Sequence, residues 1–184
     1  MTPLCCWKAV FCFFTMFCLG ALGQFEGGKD DNPPSKPTEV KLGIFLVDLI
    51  EVNGAKQTFT ADFLVKLSWN DPRLASPNTG ERRFAKEDIW FPQFLVANLR
   101  SSDSRWPEEV TVSEDGEVVY RQRSIGTFAC PLNLKKFPHD RQNLFVQILG
   151  VDLGPDDLVF QVDESVTGTS SEFTITDWEA DQFG

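Results

Sequence analysis

The chain has 184 residues, of which 42% are hydrophobic, 24% charged and 12% aromatic. This composition is typical of a globular protein, and the length allows one domain with a sizeable core but not two. The formal net charge of −10 argues against nucleic acid as a partner, because binding to phosphates requires a basic surface.

The first 23 residues have the features of a secretory signal peptide. Lys8 precedes an apolar stretch, AVFCFFTMFCLGALG, that ends in the small residues Ala21-Leu22-Gly23. A signal anchor is the alternative. Four of the five cysteines lie in this segment, so the mature chain keeps only Cys130. We expect Cys130 to be buried and inert, with an intermolecular disulfide as the alternative.

Residues 24–37 combine Gly, Pro, Lys and Asp with almost nothing apolar, which predicts a flexible lead-in to a domain over 38–184. In that domain the stretch 58–69 alternates between a polar face, broken only by Leu64, and an apolar face formed by Phe59, Ala61, Phe63, Val65, Leu67 and Trp69. A period of two over this length predicts a half-buried strand.

A β-hairpin is predicted over 110–120, where two valine-rich segments flank Ser113-Glu114-Asp115-Gly116. The Asp-Gly pair is expected to supply the positive φ angles of a tight turn. Further strands are predicted over 144–149, over 158–162 and from Phe173. About seven or eight short strands without a long amphipathic helix predict an all-β fold, an immunoglobulin-like antiparallel β-sandwich.

The sequence contains no constellation that indicates an enzyme. Its single histidine, His139, cannot be oriented by the adjacent Asp140 as in a catalytic triad, because neighbouring side chains diverge. Nucleophile elbows, glycine-rich phosphate loops and Cys/His metal spacings are absent from the sequence. We expect neither a cofactor nor a metal. Five acids form either a cation site or, as we expect, a solvated face: Asp152, Asp156, Asp157, Asp163 and Glu164.

Five motifs follow one another between residues 38 and 183. They are GIFLVDLIEVNGAKQTFTADFLVKLSWNDPRL, DIWFPQFLVAN, VTVSEDGEVVY, CPLNLKKFPHDRQNL and FTITDWEADQF. In this order they resemble the extracellular ligand-binding domain of the pentameric ligand-gated ion channels (Cys-loop receptors), and the pattern is closest to the cysteine-poor, proton-gated prokaryotic member. The second cysteine of the signature loop is replaced by Leu144, so the disulfide that names the group cannot form.

The resemblance assigns functional roles to two regions. The corner Phe137-Pro138-His139-Asp140 corresponds to the loop that couples ligand binding to the pore, with Pro138 fixing the turn. Tyr120 and Arg123 correspond to ligand contacts. Amine-gated members of the family hold a cationic ligand in a box of aromatic side chains, and the scarcity of aromatic residues at the corresponding positions here favours a small carboxylate over an amine. A surface salt bridge is the alternative role of Arg123.

Proton sensing does not transfer directly from the proton-gated relative. The acidic residue that precedes a Thr-Phe pair in that relative corresponds here to Gln57, which cannot titrate. His139 would change charge at mildly acidic pH, so sensing by His139 is a hypothesis.

Six further motif residues are expected to be structural: Trp69, Asp71, Arg73, Trp90, Pro92 and Trp178. Trp69 falls on the apolar face of its strand, so we favour core packing over ligand contact for this side chain. Asp71 and Arg73, an acid and a base just after a strand, are expected to hold a corner rather than a ligand.

Two functions stay open. The resemblance implies a domain that lacks its last strand or strands and the transmembrane part, hence a truncated or partial chain of a channel subunit. The alternative is a secreted binding protein resembling the soluble acetylcholine-binding proteins. The expected partners are a small-molecule or proton agonist and sibling subunits of a homo- or hetero-pentamer, with membrane contact only through the missing pore. The expected location is the secretory pathway and the extracellular face of the plasma membrane, or the medium.

Overall fold

The structure is a computed structural model that describes residues 32–133, 141–151, 154–171, 173–175 and 178. The predicted signal peptide, most of the lead-in, Asp152 and the corner Phe137-Pro138-His139-Asp140 lie outside the described residues.

In the described residues the chain forms ten strands and two short 3-10 helices, at Pro72–Leu74 and Lys86–Asp88. The strands are β1 (Thr38–Asn53), β2 (Thr58–Asn70), β3 (Arg82–Ala85), β4 (Phe94–Val96), β5 (Leu99–Ser104), β6 (Glu109–Val112), β7 (Glu117–Ala129), β8 (Ile148–Gly150), β9 (Leu158–Val162) and β10 (Gly168–Thr169).

The alternation in 58–69 forms the strand it predicts. β2 buries Phe59, Ala61, Leu67 and Trp69 to 4% exposure or less. Opposite β2 runs β7, whose own even-numbered residues from Val118 to Phe128 are buried. The two strands pair antiparallel along their full length, from Thr58 opposite Ala129 to Asn70 opposite Glu117. One face of this pair is therefore buried in the core, where it also includes the polar side chains of Gln122 and Ser124, and the other face points outward.

The larger sheet grows outward from the β2–β7 pair. β1 adds antiparallel to β2, with two register shifts. The other edge of β7 is shared, because β6 pairs with its first part and β5 with its second, and β3 continues from β6. A two-stranded ribbon of β4 and β8 forms the second layer. Phe94 and Val96 of this ribbon pack on the buried face of the larger sheet, and the predicted β-sandwich is confirmed.

The sheet is not antiparallel throughout. β9 and β10 both pair parallel to β1, with Leu158 opposite Thr38 and Gly168 opposite Phe45. The chain reaches this edge after leaving the β4–β8 ribbon of the other layer, which provides the crossover connection that parallel pairing requires. The prediction of an antiparallel sandwich is thus correct for the central ladders and wrong for this edge.

Two other strand predictions also need correction. The strand expected over 144–149 is limited to Ile148–Gly150. Phe173 and Ile175 lie outside any strand, although they pack as partly buried side chains against the second core. Apolar side chains therefore entered the core here without the backbone joining a ladder.

The core has two clusters on the same face of the sheet. The first surrounds Trp69, Trp90 and Tyr120. The second surrounds Phe59, Phe128 and Cys130, and Trp178 packs against it. Phe59 stacks on Phe128 with ring centroids 5.0 Å apart. Across the described part of the chain, the structure contains no helix long and apolar enough to span a membrane.

The β6–β7 turn forms where the sequence predicts it, but with one positive φ angle rather than two. Gly116 has φ +86°, and the N–H of Gly116 donates to Ser113 O at 3.1 Å. Asp115 does not adopt a positive φ. The turn packs on the corner after β2, where the Asp71 N–H donates to Gly116 O at 2.9 Å. A Cβ on residue 116 would lie 2.5 Å from Asp71 O.

Gly116→Ala is expected to destabilise the fold more than Gly80→Ala does. Gly80 also has a positive φ, +69°, but has open space around it, so alanine there should cost only about 1–2 kcal/mol for the backbone conformation. At Gly116 the clash with Asp71 adds about 1–3 kcal/mol. Urea unfolding of both variants measures the difference, and equal losses would show that the turn does not press on the corner.

Candidate functional site

The two predicted ligand contacts lie on opposite faces of β7. Residues 120 and 123 are an odd number of positions apart on a strand, so their side chains point to different sides of the sheet. Tyr120 is 6% exposed and belongs to the first core cluster. Arg123 faces outward and pairs with Asp62. The structure therefore does not bring these two side chains into one site.

On the outer face, Arg123 and Asp62 form a two-pronged ion pair. Arg123 Nε lies 3.0 Å from Asp62 Oδ1 and Arg123 Nη2 lies 2.8 Å from Asp62 Oδ2. The Arg123 side chain is 41% exposed, whereas that of Asp62 is 13% exposed. The hydrogen bond to Asp62, followed by its negative charge, raises the pKa of Arg123. A ligand carboxylate would have to share or replace Asp62 on this fork.

Further cations surround this pair. Lys66 on β2 stands directly opposite Arg121 on β7, and Leu64 stands opposite Arg123. Lys66 Nζ pairs with Asp163 Oδ2 at 3.0 Å. The hydrogen bond from Ser165 and then that from Lys66 lower the pKa of Asp163. Lys66 and Arg121 are like charges opposite each other on the ladder, and the carboxylate of Asp163 offsets the charge of Lys66.

Asp62 and Lys66 were not predicted as members of a site. The signal was present, because period two places both on the polar face of β2. Their partners could not be derived from the sequence, since cross-strand neighbours depend on the register between β2 and β7.

On the inner face, Tyr120 borders a pocket of about 280 Å³. Its ring meets that of Phe91 edge to face, with centroids 5.0 Å apart. Burial, followed by the charge of Glu108, raises the pKa of Tyr120. The pocket is lined by Lys86, Glu87, Phe91, Pro92, Gln93, Phe94, Glu108 and Tyr120.

Lys86 carries the cation of this pocket. Its ammonium pairs with the Glu108 carboxylate and lies 5.7 Å from the centroid of the Phe91 ring. Burial acts to lower the pKa of Lys86, but the hydrogen bond with Glu108 and nearby negative charge raise it above the ordinary value. The pocket thus presents an aromatic wall beside a paired cation and anion.

The motif tryptophans Trp69 and Trp90 are core residues, unlike Trp106, which lies outside the five motifs. Trp69 and Trp90 are 3% and 5% exposed and meet edge to face, with centroids 5.9 Å apart. Pro92 is also fully buried. Trp106, by contrast, is 43% exposed. The Trp69 Nε1–H is buried without a hydrogen-bond partner.

Asp71 and Arg73 meet at the corner that follows β2. Asp71 is 2% exposed and caps the helix Pro72–Leu74 by accepting from the Arg73 backbone N–H. The Arg73 guanidinium also donates to both Asp71 oxygens, at 2.8 Å each. Because a buried carboxylate needs such partners, the pair satisfies its own charge within the corner.

Two of the five acidic residues predicted as a face or cation site pair separately with bases. Asp157 pairs with Lys36 at 2.8 Å, and Asp163 pairs with Lys66. In the described ranges, no three His, Cys, Asp or Glu side chains are grouped closely enough to hold a metal ion.

Cys130 lies at the beginning of the signature loop as a free, buried thiol that is 1% exposed. Its Sγ donates to Asn143 O at 3.2 Å, across the loop. Burial raises the pKa of Cys130, and a backbone hydrogen bond from Phe145 offsets part of this rise.

Cys130 should react with a thiol reagent only as fast as the fold opens locally. The assay uses residues 24–184, with Ser102→Cys in a Cys130→Ser background as the exposed control. The pKa of Cys130 is raised in the folded state. The neutral thiol should therefore contribute its full stabilisation at neutral pH, and this contribution should fall as the pH rises above the pKa of the unfolded thiol. Equal labelling of Cys130 and the exposed control would contradict the burial.

The sequence is similar to the ligand-binding domains of known ion channels. A family model described as the neurotransmitter-gated ion-channel ligand binding domain matches residues 29–182. The chain is 27% identical over 157 residues to a proton-gated ion channel of Gloeobacter violaceus, covering 82% of this chain and 44% of that protein. It is 29% identical over 137 residues to the neuronal acetylcholine receptor subunit eat-2 of Caenorhabditis elegans, covering 71% and 29%. The chain thus spans less than half the length of these relatives.

Proposed function

The chain belongs to the family of neurotransmitter-gated ion-channel ligand-binding domains, and from this premise we propose that it is the extracellular, ligand-sensing part of a pentameric channel subunit. The match over 29–182 carries the proposal, together with the β-sandwich of the described residues. Members of this family are ligand-gated ion channels and not enzymes.

The ligand that we propose is a small carboxylate, bound on the outer face at Arg123. The support is the fork of Arg123, which already holds the carboxylate of Asp62 in the geometry that a ligand carboxylate would require. Lys66 and Arg121 add positive charge to the same face. Tyr120 points into the core instead, so we propose for it a role in shaping the pocket beside Phe91.

The affinities of two variants at this fork test the charge of the ligand. For a carboxylate such as acetate or succinate, Asp62→Asn should strengthen binding several-fold, because it removes a competing and repelling charge. Arg123→Ala should weaken binding at least about tenfold. Calorimetry on residues 24–184 measures both. Arg121→Ala, two positions along the same strand, is the comparison variant: it removes positive charge from the face but leaves the fork, so it should weaken binding less than Arg123→Ala does.

A change in affinity opposite to the one expected for Asp62→Asn would indicate a different ligand. If Asp62→Asn weakened binding, and an amine bound where carboxylates did not, the proposed carboxylate site would be wrong. Equal affinities of the parent and Arg123→Ala would remove Arg123 from the ligand site altogether.

We propose that ligand binding is coupled to the pore through the corner at Phe137, Pro138, His139 and Asp140. A fusion of residues 1–184 to the pore of a related channel tests this role. We expect Asp140→Asn to remove a charge-assisted pair with a basic residue on the membrane side. This change should cost about 1.5–3 kcal/mol and abolish gating or shift it strongly to higher agonist concentration.

Arg123→Ala in the same fusion should change only agonist sensitivity. Asp140→Asn currents that match the parent in amplitude and sensitivity would contradict the coupling role. A fusion that gives no current, while residues 24–184 still bind the ligand, would favour a secreted binding protein instead. Protons, amines and carboxylates are tested as agonists in parallel, with His139→Gln as the variant for proton sensing.

A further inference from the structure

Three neutral side-chain amides surround the two flanks of the segment 134–140. They belong to Gln57 in the β1–β2 turn, Asn98 between β4 and β5, and Gln142 on the second flank. We refer to Gln57, Asn98 and Gln142 as the amide cluster. Each member makes hydrogen bonds to the backbone of at least one flank.

Gln142 ties one flank directly to the other. Its Oε1 accepts from the Asn133 N–H at 2.9 Å, and its Nε2 donates to Asn133 O at 2.8 Å. The side chain therefore pairs with residue 133 as a neighbouring strand would. These two hydrogen bonds join positions nine residues apart, on either side of 134–140.

Gln57 ties the first flank to the β1–β2 turn. Its backbone O accepts from the Cys130 N–H at 2.9 Å, and its Oε1 accepts from the Leu132 N–H at 2.7 Å. Its Nε2 donates back to Gly54 O at 2.7 Å. Gln57 also adopts a φ of +54°, an uncommon conformation for a residue other than glycine. The strained backbone and the side chain thus serve the same attachment.

Asn98 ties both flanks to the β4–β5 connection. Its Nδ2 donates to Ala129 O at 3.0 Å and to Phe145 O at 2.7 Å, while its Oδ1 accepts from the Gln147 N–H at 3.0 Å. One side chain therefore reaches the end of β7 and the segment that leads into β8. Both Nδ2 hydrogens and the carbonyl oxygen are used.

The hydrogen bonds of the amide cluster join two flanks that no disulfide connects. Position 144 is leucine, and the thiol of Cys130 is free and donates to Asn143 O. A side-chain amide donates and accepts at the same time and does not titrate, so these contacts depend on neither redox state nor protonation. Each amide also accepts from one backbone N–H, at Leu132, Asn133 or Gln147.

We propose that the amide cluster is a single cooperative unit that sets the position of the two flanks of 134–140. Gln57, Asn98 and Gln142 are then positioning residues for the signature loop. The unit takes the place of a disulfide and also joins the flanks to the β1–β2 turn. Its consequence for gating rests on the proposed channel function, whereas its existence does not.

Hydrogen exchange of the full chain tests the unit directly, because each amide has its own reporter N–H. In Gln142→Ala we expect exchange of the Asn133 N–H to accelerate about fivefold to tenfold for the lost hydrogen bonds. The Leu132 and Gln147 N–H groups, which Gln142 does not touch, should accelerate with it. The Ser113 N–H, bonded to Glu117 O in the β6–β7 hairpin, should not change.

The matched control is Gln93→Ala. Gln93 is an exposed amide that donates to Phe91 O at 3.2 Å and lies outside the cluster, so none of the three reporters should respond. Gln142→Glu is the second variant, since it keeps the acceptor for Asn133 and loses the donor. Acceleration of Asn133 alone would overturn the proposal, and so would a uniform acceleration that includes Ser113, because that would be global destabilisation.

The pore fusion supplies the functional readout. Gln142→Ala should shift the agonist concentration for half-maximal current while leaving ligand affinity of residues 24–184 unchanged. Coupled exchange without any change in gating would show that the unit exists but that the assigned coupling role is wrong. Independent exchange at the three reporters would overturn the unit, whatever the fusion does.

Discussion

The antiparallel ladder between β2 and β7 determines the surroundings of the candidate functional side chains. Its thirteen paired positions run without a register shift from Thr58 to Asn70. Because side chains alternate along both strands, the ladder places aromatic and aliphatic groups against the β4–β8 ribbon and charged groups outside. A slip of one residue would exchange the two faces, and with them the core and the proposed ligand site.

Two ion pairs near this ladder, Asp71–Arg73 and Asp62–Arg123, lie in different solvent environments. The two bases are similarly exposed, 34% for Arg73 and 41% for Arg123, whereas the Asp71 side chain is 2% exposed and that of Asp62 is 13% exposed. Burying an unpaired charge is costly, so Asp71 depends on its partner more strongly than Asp62 does. The Asp62–Arg123 pair should exchange partners at lower cost, because Asp62 is less buried than Asp71. This difference in the burial of the carboxylate, with the same residue types in both pairs, favours a structural role for Asp71–Arg73 and leaves Asp62–Arg123 as the proposed ligand site.

Part of this arrangement could be read from the sequence. The strand over 58–69 and the turn before Glu117 follow from local periodicity and from glycine, which need no tertiary information. The opposite orientation of Tyr120 and Arg123 also follows from their spacing, but assigning both residues by resemblance to one role obscured it. The pairing of Asp62 with Arg123 depends on register, and the parallel addition of β9 and β10 depends on which edge remains open. Local patterns contain neither fact.

The parallel edge also has a consequence for the order in which the chain folds. The Ile44 N–H donates to Thr167 Oγ1, a contact across 123 positions in sequence. At typical rates of synthesis the partner of β1 emerges about 6–25 seconds after β1 itself. During that interval β1 can pair with β2, but its other edge stays open to any extended segment nearby. We therefore expect the nascent chain to be most prone to mispairing before β9 is made, so a chaperone that shields β1 would matter only within this period.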